Sequence, residues 1–489
     1  MPKYIFILFF LIFNSKTHAQ NFDFNPNLQK AYSEICQFKI QSARQILVKE
    51  NPKNGIKIYL DDFADMIVLL NNENKTEYEK LINKEDERLD LLEELDSKSP
   101  YNRFLRAEIK LHWLLLKYRF GSEVKAAWNF VQAYKLLEEN RKQFPNFVPH
   151  QKSLGAVHII LGALPDNFAW VTKLLGLRGN IQQGQKELLN ASKDPIFGTE
   201  AQFYEYFLNA YVLRWTEQKN QQLLQYLDQN KDYLSVYFLG VAISIKDNRS
   251  EQANNILSRR PIATDYLSMP MFDFYKGEIN LQKGAYNQAI NSYLNYLKSF
   301  KGKSFLKESY FKIFAAYWLA GDEAKAVHYL NKIPQIGNTI ADGDKSAQKF
   351  YDDFLQKKQL PNKNLVKARF AFDGGYLERA IDEIENISEK SLVNLHEKAE
   401  YNYRCGRIYQ KSNQIDKATG AYNRAIQLSE GQNWHFGASS CLQLGYIYKE
   451  RNDKQQAKKY FEKALAYGKH ESKYSVDNRA KAAITEMGF

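Results

Sequence analysis

Residues 401–426 read "YNYRCGRIYQKSNQIDKATGAYNRAI" and residues 442–465 read "LQLGYIYKERNDKQQAKKYFEKAL". Gly406 is followed by Tyr409 at +3, Ala418 at +12, Tyr422 at +16 and Ala425 at +19. Gly445 is followed at the same offsets by Tyr448, Ala457, Phe461 and Ala464. A third segment, "FYKGEINLQKGAYNQAINSYLNYL" at 274–297, places Asn280, Ala289, Tyr293 and Tyr296 at those offsets from Gly277. A small residue in one helix lets a second helix approach, and an aromatic fills the groove beside it. Alanine sits where the helices cross, since a larger side chain would force a close-packed pair apart. The spacing predicts helical hairpins.

It resembles the tetratricopeptide repeat, a helix–turn–helix unit of 34 residues. Looser copies surround Tyr317–Gly321–Ala326, Ala368–Gly375–Ala380 and Ala253–Leu257, and two degenerate hairpins are expected near residues 31–47 and 111–139. One hairpin cannot bury its apolar face alone, so such units stack. The expected fold is an all-α, tetratricopeptide-type helical-hairpin solenoid. The divisions expected along it are degenerate N-terminal hairpins over 20–150, apolar junction helices over 151–195 and repeats over 196–335. An irregular hinge with one short helix follows over 336–362, then the C-terminal repeats over 363–489. Gly406 and Gly445 lie 39 residues apart, so an extended second helix or a longer connection is expected between those repeats.

The first residues, "MPKYIFILFFLIFNSKTHAQ", combine Lys3, an apolar run from Tyr4 to Phe13, and small residues at Thr17 and Ala19. That is the pattern of a secretory signal peptide cleaved after Ala19. The run is shorter than the ~20 apolar residues that span a bilayer. The chain is therefore expected to be exported, to the periplasm or cell envelope of a bacterium or into the medium. Removing Lys3 and Lys16 lowers the formal net charge from +12 to +10. A basic exported protein points to acidic surfaces more than to nucleic acid. Cys36, Cys405 and Cys441 are too few, and odd in number, for a disulfide framework. Cys405 and Cys441 read as buried thiols, with a bond between adjacent helices as the alternative.

Between residues 154 and 188 the hairpin rhythm fails. "SLGAVHIILGAL" is apolar almost all round, Pro165 ends it, and "FAWVTKLLGL" follows a potential cap at Asp166 or Asn167. Gly155, Gly162, Leu164, Pro165, Leu174, Leu175, Gly176, Gly179 and Gly184 together resemble the inclusion-body-clearance family of tetratricopeptide proteins. That family includes the vertebrate tetratricopeptide-repeat thirty-nine proteins. Asp166 and Asn180-Ile181 depart from its pattern. The resemblance implies a shared architecture and names no activity; the family's members are intracellular, unlike the expectation for this chain. Phe168, Trp170, Val171, Leu174 and Leu175 are either packed in the junction or exposed to a membrane or apolar ligand. The Pro165 break rules out a single membrane-spanning helix over 154–177.

The eight histidines show no H-E-x-x-H or i, i+4 spacing, and no nucleophile elbow, phosphate loop or dinucleotide fingerprint occurs. "FDGGYLERA" at 372–380 reads as a hairpin turn. Asp61, Asp62 and Asp65 read as a helix N-terminal region, and "NKEDERLDLLEELDSKSP" at 83–100 as a solvated face. Lysines at 356–370 and 448–473 are not interleaved with stacking aromatics, which disfavours single-stranded nucleic acid. The expected function is that of a non-catalytic scaffold, without cofactor or metal. A protein or peptide partner is expected in a groove near Tyr275, Asn280, Tyr310, Tyr317, Tyr403 and Arg407. A membrane-surface contact through the apolar insert is the alternative, and the sequence leaves the oligomeric state open.

Overall fold

One turn recurs through the chain and joins the two helices of every hairpin described here. The computed structural model describes residues 21–164, 175–470 and 472–488. Among them, eight hairpins share this turn. They are Pro26–Cys36 with Ile40–Leu47, Pro100–Arg119 with Glu123–Gln143, Leu234–Lys246 with Ser250–Arg259, and Met271–Lys283 with Tyr286–Ser299. Leu306–Ala320 with Glu323–Leu330, Lys363–Asp373 with Leu377–Glu385, Leu395–Lys411 with Ile415–Leu428, and His435–Glu450 with Lys454–Leu465 complete the set.

Each turn holds one residue in the left-handed region: Phe38, Gly121, Asn248, Gly284, Gly321, Gly375, Asn413 or Asn452. Only glycine, and to a lesser degree asparagine, enters that region at low cost, which explains the residue types; Phe38 is the exception. The next N–H then returns to a carbonyl five residues back, closing the first helix. Examples are Ala285 to Asn280 at 2.8 Å, Gln414 to Tyr409 at 2.8 Å and Asp453 to Tyr448 at 2.9 Å. The acceptors are the +3 residues of the repeat pattern.

The other offsets have equally direct causes. A Cβ placed on Gly277, Gly406 or Gly445 would lie 2.7, 2.5 or 2.5 Å from the ring of Tyr293, Tyr422 or Phe461, the residue at +16. Ala289, Ala418 and Ala457 at +12, and Tyr296, Ala425 and Ala464 at +19, are wholly buried. The extra length between the last two repeats is a connection over 429–434, not an extended helix. The closing helix Lys473–Glu486 lays Val476, Ala480 and Ala483 into the core of the last hairpin. Cys36, Cys405 and Cys441 are free and buried.

At the junction, the helices His150–Gly162 and Ile181–Ala191 pack backbone to backbone. A Cβ on Gly155 would lie 2.8 Å from the Gly184 carbonyl oxygen, and one on Gly179 would lie 2.1 Å from the Gly162 nitrogen. The Asn180 side chain caps the second helix by accepting from the Gln183 N–H. His158 ties three helices together, with Nδ1 2.7 Å from Glu187 and Nε2 3.5 Å from Glu138. Burial alone would lower its pKa, but these two carboxylates outweigh burial and raise it to about 9. The expected helix after Pro165 and the signal peptide over 1–19 lie outside the described residues.

Buried charge sets the register of the N-terminal half. Lys152, fully inaccessible, reaches Glu108 at 2.6 Å and Glu200 at 2.9 Å, and Tyr32 and Tyr204 also donate to Glu200. Two expectations from the sequence change here. Asp61, Asp62 and Asp65 lie in the middle of the helix Gly55–Asn72, not at its start, because apolar residues extend that helix on both sides. Asp62 is buried and accepts from Trp113 and Arg88, with His112 Nδ1 at 2.7 Å. The acidic run is not wholly solvated either. Glu85 faces inward onto Lys117 and Asn129, and Arg88 reaches back to Asp62.

The chain winds until early and late hairpins touch. The Ser33 and Tyr233 hydroxyls lie 3.0 Å apart, and the Leu267 N–H donates to the Phe38 carbonyl at 2.8 Å. Glu73 accepts from the Lys303 and Ser304 N–H groups and pairs with Arg119 at 3.1 Å. The N-terminal hairpins and the later repeats therefore share packing. The stretch over 336–362 carries a 16-residue helix, Asp342–Lys357, outside the hairpin series.

Candidate docking cleft

The helix Asp342–Lys357 is amphipathic in a way that divides its two neighbours. Lys349, Asp353 and Lys357, at i, i+4 and i+8, form one stripe, while Phe350 and Phe354 form the next. The polar stripe faces His396, Glu400 and Arg404, which repeat the same spacing on Leu395–Lys411. Between them lies a cleft of about 570 Å³, which Trp434, His435 and Phe436 also line. The His396 ring stands edge-on to Trp434 at 5.0 Å and to Phe436 at 5.1 Å.

Arg404 pairs with Glu400 at 2.9 Å, and Lys349 pairs with Asp353 at 2.6 Å. Burial would raise the Glu400 pKa, but Arg404 and Arg369 outweigh it and hold the carboxyl below its ordinary range. Arg369 reaches Asp373 only at 3.8 Å, and Lys357 is exposed.

The aromatic stripe opens on an adjoining pocket of about 240 Å³, lined by Phe314, Trp318, Phe350, Phe354, Leu360 and Val366 among others. Phe314 stacks on Trp318 at 5.9 Å and meets Phe350 at 5.6 Å. Asp353, Lys357, Arg369, His396 and Glu400 line both spaces, so the polar cleft and the aromatic pocket meet at a shared rim.

The residues singled out from sequence lie elsewhere. Tyr275 packs on Phe238 at 5.7 Å, and burial pushes its hydroxyl pKa far up. Asn280 is half-buried, and its carbonyl closes the turn at Gly284. Tyr310 and Tyr317 meet Tyr329 at 5.9 and 5.5 Å inside their hairpin, with Lys325 over the Tyr317 ring. Tyr403 is buried and accepts a hydrogen bond from Arg407 at 3.0 Å, and Arg407 covers the Phe372 ring at 5.3 Å. Only this last pair comes together, and none of the six lines the cleft. Tyr403 and Arg407 sit one helical stripe away from His396, Glu400 and Arg404, a 100° step around the helix. Phe168, Trp170, Val171 and Leu174 lie outside the described residues, whereas Leu175 is half-buried against the N-terminal core.

Among the described residues no group of three or more His, Cys, Asp and Glu is placed to hold a metal ion. No described helix is long and apolar enough to cross a membrane.

Several solved structures are similar over most of the chain. The Cut9–Hcn1 hetero-tetramer of the APC/C shares 15% identity over 96% of this chain and 91% of that one, with a TM-score of 0.25. The tetratricopeptide domain of P58(IPK) shares 12% identity over 88% and 99%, with a TM-score of 0.22. The human IFIT1 dimer with m7Gppp-AAAA shares 14% identity over 88% and 94%, with a TM-score of 0.29. Likeness at this level carries no argument about ligand or partner. No curated protein matches the chain in sequence. Residues 399–432 and 438–467 match the tetratricopeptide repeat family. The matched stretches fall on the hairpins Leu395–Lys411 with Ile415–Leu428 and His435–Glu450 with Lys454–Leu465, set in an all-α helical-repeat fold.

Proposed function

We propose that this chain is an exported, non-catalytic scaffold that holds a segment of another protein in the cleft between Asp342–Lys357 and the C-terminal repeats. The carrying observation is the shared rim. A polar space wide enough for a peptide backbone opens beside an aromatic pocket that accepts a side chain, as pre-formed recognition sites do. The tetratricopeptide match over 399–467 supports protein binding as the task of this region. Export rests on the leader-like pattern over 1–19, and the cell envelope is one of the destinations that pattern allows.

Two experiments test the reading. Amino-terminal sequencing of the chain from the envelope fraction should return Gln20 as the first residue; an intact Met1 there rejects cleavage. Crosslinking in intact cells, read by mass spectrometry, should join lysines of 345–367 to another protein. Crosslinks confined to the N-terminal half reject the cleft.

A second reading, peripheral membrane or apolar-ligand binding through the insert around Phe168 and Trp170, is favoured by one observation. Ile160, Leu164 and Leu189, in the described segments on either side of 165–174 in the sequence, are exposed. Flotation with liposomes decides it: wild type should float and Trp170→Glu should not. A wild-type chain that stays in the soluble fraction ends that reading. The resemblance of 154–188 to the inclusion-body-clearance family supports a shared architecture here, carried by the Gly155–Gly184 and Gly162–Gly179 contacts.

A further inference from the structure

We infer that the loops 300–305 and 333–337 frame a binding site for a doubly charged oxyanion of the phosphate-monoester class, separate from the docking cleft. Lys301, Lys303 and Lys307 stand on one wall of an open space of about 500 Å³, and residues 334–337 form the other. No Asp or Glu lines it. The cause is in the sequence: the two walls come from runs, 279–307 and 324–341, that contain no acidic residue at all. Lys301 Nζ donates to the Lys298 carbonyl at 3.3 Å, and Lys307 Nζ to the Ile333 carbonyl at 2.8 Å and Gln348 Oε1 at 2.9 Å, all neutral oxygens. Among the described residues no ion pair joins a carboxylate to any of the three lysines. Lys307 is only 6% exposed, so solvent screens little of its charge.

The carboxylates behind the walls are committed elsewhere. Glu73 accepts from the Lys303 and Ser304 N–H groups and pairs with Arg119. Asp344 accepts from the Phe305 and Glu308 N–H groups, and Asp352 accepts from Gln348. The walls are also held at a fixed spacing. Gly337 has φ +66°, and a Cβ there would lie 3.0 Å from the Lys303 carbonyl oxygen; one on Gly302 would collide with Glu73. The Gly302 and Gly337 N–H groups donate to no described residue, and both glycines line the space. The count of charges then selects the ligand. A carboxylate meets three cations with one charge, whereas a phosphate monoester brings about −1.5 to −2 and three acceptor oxygens. Lysine binds such a group as a point charge, so a free phosphate ester and a phosphate-monoester lipid headgroup share the same chemistry here.

Phosphorus NMR of glycerol 1-phosphate with the purified chain, at neutral pH and low salt, tests this. The resonance should broaden on adding wild type, and Lys301→Gln with Lys303→Gln should weaken binding at least about tenfold, a step of about 1.4 kcal/mol. Both lysines are exposed, so the helical circular-dichroism signal should not change. Lys301→Arg with Lys303→Arg should keep the binding, because the charge is kept. Acetate should compete far less well than inorganic phosphate; equal competition overturns the selection for double charge. A glutamine variant that binds as wild type does overturns the placement of the site. Vesicles containing phosphatidic acid, against phosphatidylcholine alone, separate the two sources. Binding of glycerol 1-phosphate without vesicle binding assigns a free ester, and vesicle binding that the glutamine variant loses assigns a headgroup. No binding of either by wild type overturns the proposal.

Discussion

Phe461 fills the space left by Gly445, and the two carry the last repeat between them. Phe461→Ala should cost about 3–5 kcal/mol in chemical denaturation, because the aromatic is wholly buried and its neighbours cannot collapse. Gly321→Ala isolates the backbone instead, since nothing lies within 4 Å of the added methyl and φ is +93°. That substitution should cost roughly 1–2 kcal/mol, the penalty for a left-handed L-residue. A shift of the urea midpoint with unchanged m-value checks both. Lys152→Met should cost about 3–5 kcal/mol, because it strands Glu108 and Glu200 in the interior. At this scale much was legible in the sequence. The +12 and +16 positions pack as their spacing demands, alanine at one and an aromatic at the other, while +19 is buried in all three segments but takes Tyr296 in one and alanine in two. The partners of Lys152 were not legible, because Glu108 and Glu200 lie far from it in sequence and only the winding of the chain brings them together.

The helix Asp342–Lys357 is held at its start by two carboxylates, and that start should respond to pH. Asp344 accepts from the Phe305 and Glu308 N–H groups, and Glu308 lies against Gly343. Glu278, Tyr293 and Lys312 share this neighbourhood. Burial raises Glu308 to about 7, with Glu278 and Asp344 adding and Lys312 opposing, and burial raises Asp344 to about 6. A carboxyl whose folded pKa lies above its unfolded value favours the folded state when protonated. This stabilisation is complete below the unfolded pKa and is lost as pH rises through about 6 to 7. Amide exchange over 342–357 should therefore be slower at pH 5.5 than at pH 8 after correction for intrinsic rates. Glu308→Gln should flatten that difference; equal protection in wild type contradicts it.

His158 acts in the same direction in another window. Its raised pKa gives stability that is full below about 6.5 and lost as pH rises through about 9. Of this element scale the sequence showed the hairpins and the glycine-rich junction. Over 336–362 it suggests an irregular hinge with one short helix, and the helix there runs for 16 residues, because Gly343 and the flanking prolines read as breaks. Gly343 instead lies in the first turn of the helix, against Glu308. The cleft was legible in part, as the i, i+4 run of His396, Glu400 and Arg404. The sequence reading falls instead one stripe away, on Tyr403 and Arg407 of the same helix, which are taken up by packing on Phe436 and Phe372 of the neighbouring hairpins.

At the scale of the molecule, the stacked hairpins are finished by the helix Lys473–Glu486. Removing 473–489 should bare the apolar face of His435–Glu450 and speed exchange across 435–465, while leaving the first three hairpins protected, as expected when each repeat contacts its neighbours. Loss of protection throughout the chain would show instead that the contacts of Glu73, Arg119 and Phe38 with later repeats fuse the solenoid into one cooperative unit. The central claim is that the space between Asp342–Lys357 and the tetratricopeptide repeats receives another protein. Hydrogen exchange on the chain co-purified with its bound protein, compared with the free chain, tests it most directly. The account predicts new protection over 342–357, 363–373 and 395–411. Protection confined to residues outside 311–436 would contradict it.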